Sequence, residues 1–217
     1  IELGLVVTAD ADPSLGSHWD FPFGLVGSAG RISRSHSDFP FAPVGGAVLL
    51  SYAEEPDKGF SRFAFSTFPE FMHLLEGKVQ WRQGVLPRAV TDRGPGLDAG
   101  TNELQVVERE GSADRCADCA ARSTQQFLRA AGLAPLDIDV LIPSPTPFGF
   151  PDSYAHAVGI PDDRVARVDE SFGRVHTAGP VAAMEGAIRT GQLAEARNVL
   201  FVTVGSGITV GLALYHP

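Results

Sequence analysis

"NVLFVTVGSGITVGLALYH", residues 198–216, and "LGLVVTAD", residues 3–10, followed by "VGGAVLLSYA", residues 44–53, decide the fold. Each copy is an apolar strand, a glycine-rich turn or an insertion, and a second apolar strand entered through small residues. One strand pair used twice is the mark of internal duplication. A strand apolar without alternation suits a sheet covered on both faces. Around the C-terminal copy, strands expected at Asp139–Ile142 and Val165–Val168 alternate with helices at Ser153–Val158 and Pro180–Thr190. Pro180 suits a first helical turn, and Gly191 follows the end. This order predicts an α/β layer with a mixed sheet. Before the N-terminal copy the matching elements are missing. The chain thus reads as one and a half copies of an α/β unit, and opening at Ile1 on a buried strand implies a preceding segment.

The rest is more irregular. Ala9–Pro43 reads as a long loop with repeated aromatics (Trp19, Phe21, Phe23, Phe39, Phe41), a length that points to function or an interface. Phe60–Ser66 and Leu104–Glu108 read as strands, Pro69–Leu75 as a short helix and the remainder of 68–100 as irregular. Ala113–Ala131 reads as a helix with Ser112 as its N-cap and Gly132 as its stop.

The 217 residues are 44% hydrophobic, enough for a substantial core. A net charge of −9, without a long basic run, disfavours nucleic acid and anionic membrane as partners. No apolar run reaches the ~20 residues of a membrane span, and no signal peptide is visible. Cys116 and Cys119 are the two cysteines; such sparse use suits a reducing cytoplasm. Their C-x-x-C spacing raises a redox or metal reading, but no further ligand pair accompanies it. At i and i+3 they share a helix face, where packing is the simpler role.

Several stretches carry a resemblance. "RAAGLAPLDIDVLIPSPTP" (129–147), "FGRVHTAGPVAAMEGAIRTGQL" (172–193) and "VLFVTVGSGITVGLALYHP" (199–217) are similar, in order and spacing, to the C-terminal half of ketoacyl-ACP synthase III. "LGLVVTAD" and "APVGGAVLLSYAEEP" (42–56) resemble the end of that group's N-terminal half. The resemblance implies a thiolase-like fold of duplicated α-β-α-β-α layers: an incomplete N-terminal half over residues 1–100 and a complete C-terminal half over 101–217. It implies a cysteine nucleophile in the missing half, supplied by an upstream segment or a companion chain. Cys116 and Cys119 do not match that position.

The departures from the pattern carry the functional reading. Where the family has a histidine in "HQAN", this chain has Ser144. Where it has the asparagine of "GNTS", an ungapped match gives Arg174, with His176 two residues on. The pair that holds an enolate in decarboxylative condensation is therefore broken. One histidine beside a nucleophile suits acyl transfer, with His176 as general base for an acceptor. The bland reading makes His176 a cap on nearby carbonyls and Ser144 a turn cap. Arg174 is either a phosphopantetheine or carboxylate contact or a solvated arginine. Phe148 and Phe150 either line an acyl pocket or sit at a subunit contact. Gly205, Ser206 and Gly207 form a close-approach turn beside the site. Asp169, Glu170, Ser206 and Thr209 are candidates to orient His176.

The resemblance, with these departures, implies an acyltransferase taking its acyl group from acyl-CoA or an acyl carrier protein, in fatty acid, polyketide or related biosynthesis. No bound cofactor and no metal are expected, and a dimer is. The alternatives are a non-catalytic partner subunit, a decarboxylating 3-oxoacyl-ACP synthase III, or a self-contained hydrolase using Ser144 and His176. His18, His36, His73, His156 and His216 show no constellation in the sequence.

Overall fold

A computed structural model describes residues 3–10, 41–42, 44–52, 54–55, 57–83 and 100–217. Most of the long loop expected at Ala9–Pro43 lies outside the described residues. The chain divides into two units, one of Ile1–Asp10, Phe41–Glu76 and Val107–Pro217 and the other of Ala11–Pro40 and Gly77–Val106.

The core of the larger unit is a four-stranded mixed sheet. β3 (Gly59–Thr67), β6 (Val140–Pro143), β7 (Val199–Gly205) and β8 (Thr209–His216) lie in the order β3-β8-β7-β6. β6 and β7 are parallel, while β8 runs antiparallel to both β7 and β3. Successive side chains of a strand point to opposite faces. Leu141, Leu200, Val202, Leu212 and Leu214 therefore join one core, while Val140, Ile142 and Val199 join another. Both faces are covered, which is why these strands read as unbroken apolar runs.

On the first face lie α1 (Ser112–Ala131) and α2 (Phe150–Val158). α1 buries Cys116, Cys119, Ala120, Ser123, Phe127 and Leu128, a stripe at the helical period. It stops at Gly132, whose φ of 73° lets its N–H reach the carbonyls of Leu128 and Arg129. Its start differs from the expectation: Gly111 is the N-cap and Ser112 the first helical residue. α2 begins three residues earlier than expected because Gly149, at φ 84°, turns the chain ahead of Pro151.

On the second face lies α3 (Gly179–Arg189), which buries Ala183 and Ala187 against the sheet. Its opposite side meets a two-stranded antiparallel ladder of β1 (Leu3–Asp10) and β2 (Val44–Ser51). Gly46 allows the approach: a Cβ there would lie 3.0 Å from a methyl of Val181. The described layers run α1/α2, four-stranded sheet, α3, β1–β2. β3, from the first hundred residues, is part of the C-terminal sheet.

Three expectations need correction. β1 lies in a two-stranded ladder, with its Leu3, Leu5 and Val7 face exposed among the described residues. The stretch 68–100 contains a strand, β4 (Leu75–Gln83), which pairs with β5 (Gly100–Glu108) in a two-stranded sheet of its own. A helical turn over Pro69–Leu74 precedes it. Val165–Val168 reduces to a single parallel bridge between Leu141 and Val165, after a turn that leaves little straight backbone to pair.

Candidate active site

β6 and β7 end on the same edge of the sheet because they are parallel. In open α/β sheets that edge is the usual place for a ligand. Ser144 follows β6 and continues its ladder, its N–H donating to the Val202 carbonyl at 2.7 Å. Its side chain is buried, and its hydroxyl donates to the Thr146 carbonyl at 3.0 Å. The serine thus closes the turn that leads to α2.

Phe148 and Phe150 part company. Phe148 is exposed and borders a cleft of about 580 Å³. Phe150 is fully buried in the α1–α2 core and stacks on Tyr154, with ring centroids 5.3 Å apart. Tyr154 in turn shares a 2.7 Å hydrogen bond with Thr124, and burial raises its phenol above the ordinary tyrosine range. Phe150 is a core residue and does not border the cleft. Alternation in the loop could not reveal this, since the side of the sheet is set by where α2 begins.

His176 stands in the turn that feeds α3. Asp169 opens this turn by accepting the Ser171 N–H at 2.9 Å, and Gly173 takes a φ of 69°. The Arg174 carbonyl then accepts the Ala42 N–H at 2.7 Å, and Thr177 Oγ1 lies 3.4 Å from the Ala9 carbonyl. The turn is thereby fixed to the chain ends on either side of residues 11–40. The Phe41 ring lies 4.6 Å from the exposed His176 ring and 5.7 Å from the Arg174 guanidinium. Arg174 also pairs with Glu108 at 3.3 Å. Glu108 had no signal in the sequence, because its pairing depends on where β5 ends. Phe41 did have one, as the last of the repeated aromatics.

The two loops touch through Gly179. A Cβ at this first residue of α3 would fall 2.4 Å from Cγ of Pro145. Only a residue without a side chain lets the His176 turn rest on the Ser144 loop. The cleft lies beside this contact, lined by Pro145, Phe148, Arg167, Asp169, Arg174 and Arg189 among others. Its cations are paired: Arg167 with Asp152 and Asp162, Arg174 with Glu108, and Arg189 with Asp169 and Glu185.

The remaining candidates occupy the β7–β8 turn. Gly207 needs its glycine, with φ at 123° and Thr209 Oγ1 3.2 Å from a built Cβ. A Cβ at Gly205 would meet nothing within 4 Å, so close approach does not explain that position. Ser206 donates to the Leu75 carbonyl at 2.7 Å, and Thr209 Oγ1 lies 3.4 Å from Thr67 Oγ1. Asp169, besides its turn bond, lies 3.6 Å from Arg189, and both interactions hold its carboxyl below the ordinary aspartate value. These three side chains thus bond to groups other than the His176 ring.

Both cysteines are buried in the α1 core. Burial, with Cys119 and Glu108 nearby, pushes the Cys116 thiol up to about 12. Burial also raises Cys119, against the pull of Arg122. A thiol so protonated is a poor nucleophile near neutral pH.

The element order and layers are those of a thiolase-fold α/β protein. Residues 128–216 match the family described as 3-oxoacyl-[acyl-carrier-protein] synthase III C terminal. The beta-ketoacyl-[acyl-carrier-protein] synthase III of Thiobacillus denitrificans is 28% identical over 124 residues, 57% of this chain and 39% of that protein. The 3-oxoacyl-[acyl-carrier-protein] synthase III of Aquifex aeolicus superposes with a TM-score of 0.65 at 17% identity, over 100% of this chain and 58% of its own. The priming beta-ketosynthase of the R1128 polyketide pathway gives 0.61 at 18% identity, over 100% and 57%. The chain is similar to ketoacyl-ACP synthase III proteins over its C-terminal part and shares their fold, and it spans well under two thirds of the length of these relatives.

Proposed function

We propose that the protein takes part in acyl transfer from a thioester, acyl-CoA or acyl carrier protein, to an acceptor, with His176 as the general base. The observation that carries this reading is the exposed His176 on a turn locked against the Ser144 loop through Gly179 and Pro145. Fixed backbone under an accessible imidazole is what a base needs to meet an acceptor at a set distance. By the motif resemblance Ser144 takes the place of a condensing histidine, and its buried hydroxyl closes a turn; both argue against decarboxylative condensation, and the second against a Ser144 hydrolase. The raised thiols of Cys116 and Cys119 argue that the nucleophile comes from outside the described residues, from further chain or a companion. The division into half-units at residues 1–100 and 101–217, with β3 of the first lending its strand to the sheet of the second, a dimer, and a role in fatty acid or polyketide biosynthesis in the cytoplasm belong to the same proposal.

The pairing of Arg174 with Glu108 favours one competing reading, a partner subunit that only shapes a pocket. The test is His176→Ala, assayed with whatever chain co-purifies, using acetyl- and propionyl-CoA and small alcohol or amine acceptors. Transfer should fall about 100-fold while acyl loading on the nucleophile persists. Unchanged transfer would assign this chain to the pocket-shaping role.

A further inference from the structure

The opposite edge of the sheet carries a second constellation. β8 runs antiparallel to β7, so His216 lies by the amino ends of β6 and β7, whereas Ser144 and Gly205 lie at their carboxyl ends. About seven strand residues, or roughly 20 Å, separate the two edges. At this far edge, Ser61 Oγ is 2.8 Å from His216 Nε2, and His216 Nδ1 is 2.8 Å from the Arg197 carbonyl oxygen.

The protons follow from the partners. A carbonyl oxygen only accepts, so Nδ1 of the neutral ring carries the hydrogen and Nε2 keeps its lone pair. Ser61 therefore donates to Nε2. A serine on one nitrogen and an orienting acceptor on the other is the arrangement that activates a hydroxyl nucleophile. The acceptor is itself held in place, because the Arg197 and Asn198 N–H groups both donate to Asp139, at 2.8 and 3.0 Å.

The backbone sets Ser61 apart. The β3–β8 register jumps between Phe60 opposite Tyr215 and Arg62 opposite Leu214, which leaves Ser61 as the extra residue of a bulge. Bulges re-aim a side chain out of the ladder. Ser61 is exposed, and Lys58 donates to the carbonyl of Pro217, the residue after His216, so a cation stands at the same end.

We propose that Ser61 and His216 form a second, acyl-accepting site for small activated esters and thioesters. Ser61 Oγ attacks the carbonyl carbon while His216 Nε2 takes the hydroxyl proton. The C–O or C–S bond to the leaving group breaks, and the proton passes to the departing alkoxide or thiolate. This leaves acyl-Ser61 and a free alcohol or thiol. Water, deprotonated by the same nitrogen, then releases the carboxylic acid and restores Ser61. The exposed setting suits a small or flexible donor.

The test uses the purified protein with a fluorophosphonate probe and peptide mapping, alongside p-nitrophenyl acetate hydrolysis. The expected result is an adduct on Ser61 in the wild type and in His176→Ala, none in Ser61→Ala, and labelling about 100-fold slower in His216→Gln. Retention in His176→Ala keeps this site separate from the one proposed above. Should His216→Gln fail to fold, Ser61→Cys serves instead, and its thiol should alkylate faster than a free cysteine standard. No adduct on Ser61, equal labelling in His216→Gln, or an ordinary rate for the Ser61→Cys thiol would each overturn the proposal. The pair would then be a clip joining β8 to β3.

Discussion

β7 and β1 are nearly interchangeable as text, each a run of Val and Leu with a single Thr, yet they lie in opposite surroundings. Leu200 and Val202 are 0% exposed, between α1 and the neighbouring strands, while Leu5 and Val7 are 67% and 66% exposed. Register explains the split within the ladder. Partners share a face, so Val6, Thr8, Gly46 and Val48 turn toward α3, and Leu3, Leu5, Val7 and Leu49 turn away. An apolar run thus states which surroundings a strand tolerates, and only the neighbours decide which face receives them.

The sharpest way to break this comparison is a matched pair. Leu200→Ala should cost about 2–5 kcal/mol in urea unfolding, through lost burial and an unfilled cavity. Leu5→Ala should stay within about 0.5 kcal/mol, as for surface positions. Equal losses would mean that the outer face of the ladder is covered in solution. A smaller effect is expected from Gly179→Ala, whose methyl has no room beside the Pro145 ring. Overpacking of this kind costs about 1–3 kcal/mol, and the change should lower any His176-dependent turnover by more than the loss of folded protein accounts for. The smallest effect belongs to Asp169→Asn. The native carboxyl is held below its ordinary pKa, so its contribution is complete at neutral pH and fades as acid protonates it. Melting curves of the two proteins should differ slightly at pH 7 and converge in acid.

Most of the C-terminal sheet was legible in the sequence because punctuation and period agree there. Gly132, Gly159 and Gly191 stop turns or helices at positive φ, and Pro180 sits in the first turn of α3. β4 was not legible: "LEGKVQWRQ" mixes charge and aromatics without clean alternation, and its partner in sequence lies beyond a stretch punctuated by Gly and Pro. The site was half legible. His176 and Arg174 stand in one turn by sequence alone, but Glu108, Phe41 and Gly179 enter through long-range contacts. Ser61 and His216 are 155 residues apart and meet only because β3 joins the last strand through a bulge. No local pattern marks such a meeting.

The Tyr154–Thr124 bond ties α2 to α1 at the centre of the apolar core. Its phenol gives up its proton less readily than an ordinary tyrosine. The Tyr154 share of the tyrosinate band, isolated by difference from Tyr154→Phe, should therefore appear late in an alkaline titration and report in ultraviolet light on the opening of that helical layer.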